Sequence, residues 1–170
     1  MKTALLFGGL ALVLATVNVS IARKEALLAN GTVVLVELAP VDPRSLIQGD
    51  YMRLDYAVAR GLSGPGGRLE DAARPVPTVP RDGHIVVRLD EHGVASFVRW
   101  HRPEVPLAPG EHLLQYRRRG STIRIATDAF YFQEGHARRY ERARYGELRV
   151  DAAGGSVLVG LRDSLQQPLR

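Results

Sequence analysis

Residues Ala4 to Ala22 run for 19 positions without a charged side chain, and only Thr16, Asn18 and Ser20 interrupt the apolar composition. At a rise of about 1.5 Å per residue, a helix of that length matches the roughly 30 Å of hydrocarbon in a bilayer. No other stretch restricts the chain as strongly. Two readings fit it. One is a cleaved export signal, with Ser20 and Ala22 as the small residues before the cut. The other is an uncleaved anchor. Arg23-Lys24-Glu25-Ala26-Leu27-Leu28-Ala29-Asn30 continues with strong helix formers up to Gly31, a helix stop, so a helix running through the cut site favours the anchor. Lys2 precedes the span and Arg23 and Lys24 follow it, so basic flanks barely orient it. Likeness to an export signal favours the N-terminus inside.

The remainder, at a total of 170 residues, makes one domain. Cysteine is absent. Disulfides, thiolate nucleophiles and Cys-ligated metals are thereby excluded, and packing alone must hold the fold. The net charge of +5 comes almost wholly from arginine and suits an anionic neighbour such as lipid headgroups. An exported domain has no nucleic acid to bind.

The densest local signals lie between Pro40 and Tyr56. Asp42-Pro43 reads as a helix start, with the carboxylate accepting from free backbone N–H groups and proline losing no bond at the first helical position. Gly49 stops that turn. Tyr51 to Val58 alternates as a strand that places Met52, Leu54 and Tyr56 inward, and Tyr51, Arg53 and Asp55 outward.

Gly49-Asp50-Tyr51-x-x-Leu54-x-Tyr56 is similar to the motif that names the GDYXXLXY family of bacterial membrane-anchored proteins. The lead-in through Asp42, Pro43 and Arg44 resembles that family too, as does Phe130-Tyr131-Phe132-Gln133-Glu134-Gly135. The resemblance covers most of the chain. It implies an N-terminal membrane helix, a domain on the periplasmic side of the inner membrane, and no assigned activity.

A second likeness concerns the nucleophile region of membrane signal peptidases, which also carries a proline, a leucine three residues on, and Gly-Asp before an alternating strand. That family places a serine where Pro40 stands, and a lysine base on a later strand. The only lysines here are Lys2 and Lys24. A hydroxyl nucleophile needs an adjacent base, and neither partner is present, so this likeness implies at most a catalytically dead signal-peptidase-like scaffold, a shared local fold without the chemistry.

Further along, Thr32–Leu38 reads as a strand and Arg60–Gly83 as a long loop rich in proline and glycine, where a hydrolase or ligand site is the alternative function. Paired strands follow at 84–90 with 94–100, 112–118 with 122–126, and 147–151 with 156–161, each about a glycine-bearing turn. Phe130-Tyr131-Phe132 reads as core. Glu134–Tyr145 reads as a short basic helix with Tyr140 inward and residues 164–170 as a loose tail. The arginines Arg117, Arg118 and Arg119 at a hairpin tip, with Arg138, Arg139 and Arg142, are candidate contacts for a partner or a headgroup.

Histidines 84, 92, 101, 112 and 136 lack ligand spacing, and no cofactor fingerprint is present. The expected architecture has three parts: an N-terminal transmembrane helix over 1–30, a mainly β domain over 31–163, barrel-like or sandwich with one short helix, and the tail. The expected role is a non-enzymatic module at the membrane, meeting the lipid surface or another envelope membrane protein, with no metal, no cofactor and no nucleic acid.

Overall fold

The computed structural model describes residues 2–39, 47–48, 51–62, 79–120 and 122–169. The expected cap and turn residues Asp42, Pro43, Arg44, Gly49 and Asp50 lie outside the described residues, as does most of the 60–83 loop.

Helix α1 (Lys2–Asn30) runs unbroken into the domain. Its junction has no slack. The Gly31 N–H donates to the Leu27 carbonyl at 2.9 Å, the Arg149 Nη1 donates to the Gly31 carbonyl at 2.9 Å, and strand β1 (Thr32–Glu37) starts at the next residue. A Cβ on Gly31 would meet the Leu27 carbonyl oxygen at 2.5 Å, so only glycine lets the chain turn there. Leu27 is buried against the domain, whereas Phe7, Leu10, Leu12, Val13, Leu14, Val17, Val19 and Ile21 are exposed. Among the described residues, no helix is long and apolar enough to cross a membrane. Ala4, Leu5 and Leu6, which open the uncharged run, are not among the residues whose side chains are described.

Three antiparallel sheets follow. In the first, β1 pairs with β9 (Tyr145–Val150), which pairs with β10 (Ser156–Arg162) and through it with β11 (Pro168–Leu169). In the second, β3 (Tyr51–Arg53) lies between β2 (Ile47–Gln48) and β8 (Ala129–Tyr131). In the third the order is β5 (Ala95–Trp100), β4 (Asp82–Leu89), β6 (Glu111–Arg119) and β7 (Thr122–Ile125). Single bridges join them: Leu35 with Val94, and Leu38 with Tyr56. The Gln115 N–H also reaches the Gly154 carbonyl at 2.8 Å, tying the β9–β10 turn to β6. The sheets curl around one core, in which Val34, Val36, Ile85, Val87, Leu114, Ile125, Leu148 and Leu161 are all but sealed from solvent. Each such side chain contributes about 1.5–3 kcal/mol of apolar burial, which holds together a domain that has no disulfides.

The mainly β expectation and the three hairpins match the structure. Met52, Leu54 and Tyr56 point inward as the alternation requires. The strand expected over 51–58 is shorter, however. It ends at Arg53, and α2 (Ala57–Leu62) begins directly after Tyr56, with the Arg60 N–H donating to the Tyr56 carbonyl at 2.9 Å. The Leu54 N–H instead meets the Asp128 carbonyl and the Ala39 N–H meets the Asp55 carbonyl, so the backbone leaves the ladder before a helical turn.

The basic helix expected over Glu134–Tyr145 shrinks to the single turn α3 (Ala137–Tyr140). Gly135 adopts φ +80°, a left-handed conformation that ends any helix running through it. Tyr140 is the buried anchor, packed on Phe130 and Phe132 at ring distances of 5.0 and 5.1 Å. Tyr131, between those two phenylalanines, is 75% exposed, so only alternate members of the aromatic run join the core. The tail is also structured, since β11 pairs Leu169 with Leu161 and buries it.

Three five-residue turns share one construction. In Asp90–Val94, Asp151–Gly155 and Asp163–Gln167, the Oδ1 of the leading aspartate accepts two backbone N–H groups, from the second and fourth residues after it. The fourth residue of each, Gly93, Gly154 or Gln166, has positive φ. This is a type I turn closed by a left-handed residue, a common three-residue hairpin connection.

Candidate functional site

One short segment, Ala126–Asp128, carries the chain from β7 to β8, the strand paired with the motif strand β3, and three cavities among the described residues lie around it. Ala126 has φ +51° without being glycine. The Thr127 Oγ1 bonds to the Ala129 backbone, and the Asp128 carbonyl accepts the Leu54 N–H at 2.8 Å. Asp128 also forms an ion pair with Arg124 one turn of chain earlier.

A groove of about 790 Å³ lies on one side, lined by Tyr51, Arg53, Asp55, Arg60, Arg124 and Asp128 among others. Its second ion pair, Arg60 to Asp55 at 2.6 Å, is half exposed, so it adds at most about 1 kcal/mol to stability. On the other side a smaller cavity of about 330 Å³ is lined by Gln115, Arg117, Arg119, Arg124, Asp128 and Ser156. Arg124 and Asp128 line both. A third cavity of about 380 Å³ runs along Thr127, Tyr131 and Leu158.

The motif residues divide between scaffold and rim. Tyr51 sits opposite Tyr131 on the neighbouring strand, with ring centroids 5.6 Å apart, at the mouth of the larger groove. Leu54 and Tyr56 are buried. Among the described residues the Tyr56 hydroxyl has no hydrogen-bond partner, and burial pushes its phenol well above the ordinary value.

The arginine run is split by strand alternation. Arg117 and Arg119 are exposed on one face of β6. Arg118 lies on the opposite face with Leu114 and Tyr116, is half-buried, and leaves its Nε without a partner. Arg138, Arg139 and Arg142 are exposed on and beside α3. They do not line the cavities around Ala126–Asp128.

Sequence reasoning places Asp55 on the outward face of the motif strand but singles out neither Arg124 nor Asp128. Their ion-pair partners are local, but the groove they line is assembled from the motif strand, α2 and β7, which only the fold brings together. The i, i+4 spacing of Arg124 and Asp128 is a helical signal, and here the pair spans a strand end and a turn. Among the described residues, no three His, Asp or Glu side chains converge as a metal site would require.

These features define a class: a small mainly β domain borne directly on an N-terminal helix, with a polar groove beside its motif strand. The family model described as GDYXXLXY protein matches residues 13–161, and the chain belongs to that family. No curated protein and no solved structure shows significant similarity to it.

Proposed function

We propose that the protein is a non-enzymatic interaction module tethered to the bacterial inner membrane by α1, with its N-terminus inside and its β domain in the periplasm. One observation carries this reading: α1 exposes Phe7, Leu10, Leu12, Val13, Leu14, Val17, Val19 and Ile21 with no part of the described domain over them. A helix apolar around its circumference belongs in a bilayer or in a large protein core. The uncharged run that starts at Ala4 has the length for the first.

The junction at Gly31 supports a rigid mount. From Lys24 to Asn30 the helix rises only about 10 Å, near the Debye length at physiological salt. The start of the domain is therefore close enough to sense an anionic surface. Arg117, Arg119, Arg138, Arg139 and Arg142 are the contacts proposed for headgroups or an envelope protein, and nucleic acid has no place in this scheme. One observation favours a second reading, a ligand-binding or hydrolytic protein: the 790 Å³ groove is lined by Ala59 and Arg60 of α2, where the 60–83 segment begins.

Carbonate washing of membranes tests the tether. The intact chain is expected to stay in the pellet and a chain lacking residues 1–22 to leave it; release of the intact chain would overturn the anchor. Crosslinking in intact cells followed by capture from detergent tests the partner. An envelope protein lost when Arg117 and Arg119 become glutamine supports the module, and capture unchanged by those substitutions refutes that contact face.

A further inference from the structure

The smaller cavity beside Ala126–Asp128 has a charge arrangement that the described residues leave incomplete. Arg117 and Arg124 stand directly opposite each other in the β6–β7 register. Like charges so placed destabilise a sheet. Two carboxylates answer them from the flanks: Asp82 bonds Arg117 at 3.1 Å and Asp128 pairs with Arg124. Arg119, two residues from Arg117 and so on the same face of β6, lines the same cavity. Among the described residues it has no carboxylate partner. Three guanidiniums thus meet two carboxylates, with the Gln115 amide and the Ser156 and Thr127 side chains around the same space.

We propose that this cavity binds a phosphate group. Guanidinium forks match oxyanions, and charge-assisted bonds are the stronger kind. The donor set comes from three strands, β6, β7 and β10, and the Ala126–Asp128 segment, which exceeds what the two oxygens of a carboxylate can accept and suits an anion with three or more. The volume, about 330 Å³, lies at the lower end for ligand sites, so it fits the phosphate end of a ligand and not a large body. A phospholipid headgroup and a soluble phosphate ester both present this chemistry. The inference stands whether or not α1 is a membrane anchor.

The test uses the full chain in detergent, titrated with inorganic phosphate against chloride at matched ionic strength and followed by calorimetry. Saturable binding of one phosphate is expected, with Arg119→Gln weakening it by about tenfold or more, the usual loss for one charge-assisted contact. Arg119 has an exposed side chain and, among the described residues, no ion-pair partner, so the variant keeps the fold. Arg138→Gln, remote from the cavity, leaves binding unchanged. Phosphate no better than chloride, or an Arg119→Gln protein that binds as the parent does, overturns the proposal.

Nanodiscs then separate the sources. Weaker phosphate binding in discs doped with phosphatidic acid than in phosphatidylcholine discs supports the site with a headgroup as occupant. Equal binding in both supports it with a soluble phosphate ester.

Discussion

The ring of Tyr56 packs against the bare backbone of Gly146. A Cβ on that glycine would meet the Tyr56 Cε1 at 3.0 Å and the Leu158 Cδ1 at 3.3 Å. The contact joins the last motif residue to the central strand of the first sheet, and both residues are buried. Gly146→Ala should therefore overpack this point and lower stability by about 1–3 kcal/mol, measured by denaturant unfolding of the full chain. Stability within a few tenths of the parent would mean that the ring moves aside freely.

The hydroxyl of the same tyrosine makes no hydrogen bond to any described residue. A buried hydroxyl left unmade costs about 1–3 kcal/mol. Tyr56→Phe removes that cost while keeping the ring, so the variant should be as stable as the parent or up to about 1 kcal/mol more stable. A loss above that size would show that the hydroxyl is satisfied in solution.

Gln166 holds φ +60° in the position that Gly93 and Gly154 take in the sister turns. A left-handed residue with a Cβ costs about 1–2 kcal/mol, and glycine's extra chain entropy returns part of it. Gln166→Gly should raise stability by about 0.5–1 kcal/mol in thermal unfolding. The Arg162 Nη1 bond to this residue uses the backbone carbonyl and survives the change. A fall in stability would contradict the assignment of strain.

Those three turns also show what the sequence could disclose. The first two carry glycine where φ turns positive, so both hairpins were readable from local chemistry. The third carries glutamine, so nothing local marks the turn, and the strand it introduces, β11, reads from sequence as a loose tail. Likewise the alternation of Met52, Leu54 and Tyr56 announced their burial, because period two is a property of the strand itself. The one-turn length of α3 follows from Gly135 and from Tyr140 meeting Phe130 and Phe132. Charge order along 134–145 suggested something longer. The cavities around Ala126–Asp128 were not legible. They depend on Asp128 meeting Leu54, a relation between distant segments, and on the exact register that sets Arg117 opposite Arg124 within its hairpin.

Two carboxylates should give the fold its sensitivity to acid. The Val94 N–H, followed by that of His92, holds the Asp90 carboxyl below the usual range. The Ala108 N–H, with Arg99 and Arg88 beside it, does the same for Glu111. A folded value below the unfolded one means that the stabilisation is complete above the unfolded value, about 4. It is lost as pH falls through the folded value. Asp90→Asn keeps the turn's acceptor and removes the titration. Its melting temperature should therefore fall less steeply than the parent's as pH drops below about 4. Parallel slopes for parent and variant would refute the linkage.

The account rests most heavily on which side of the membrane the β domain occupies. A reporter pair fused in turn after Arg170, alkaline phosphatase and a fluorescent protein that matures only in the cytosol, measures this directly in growing cells. Phosphatase activity without fluorescence is the predicted outcome. Fluorescence without phosphatase activity would put the domain in the cytosol and contradict the tethered, periplasmic reading.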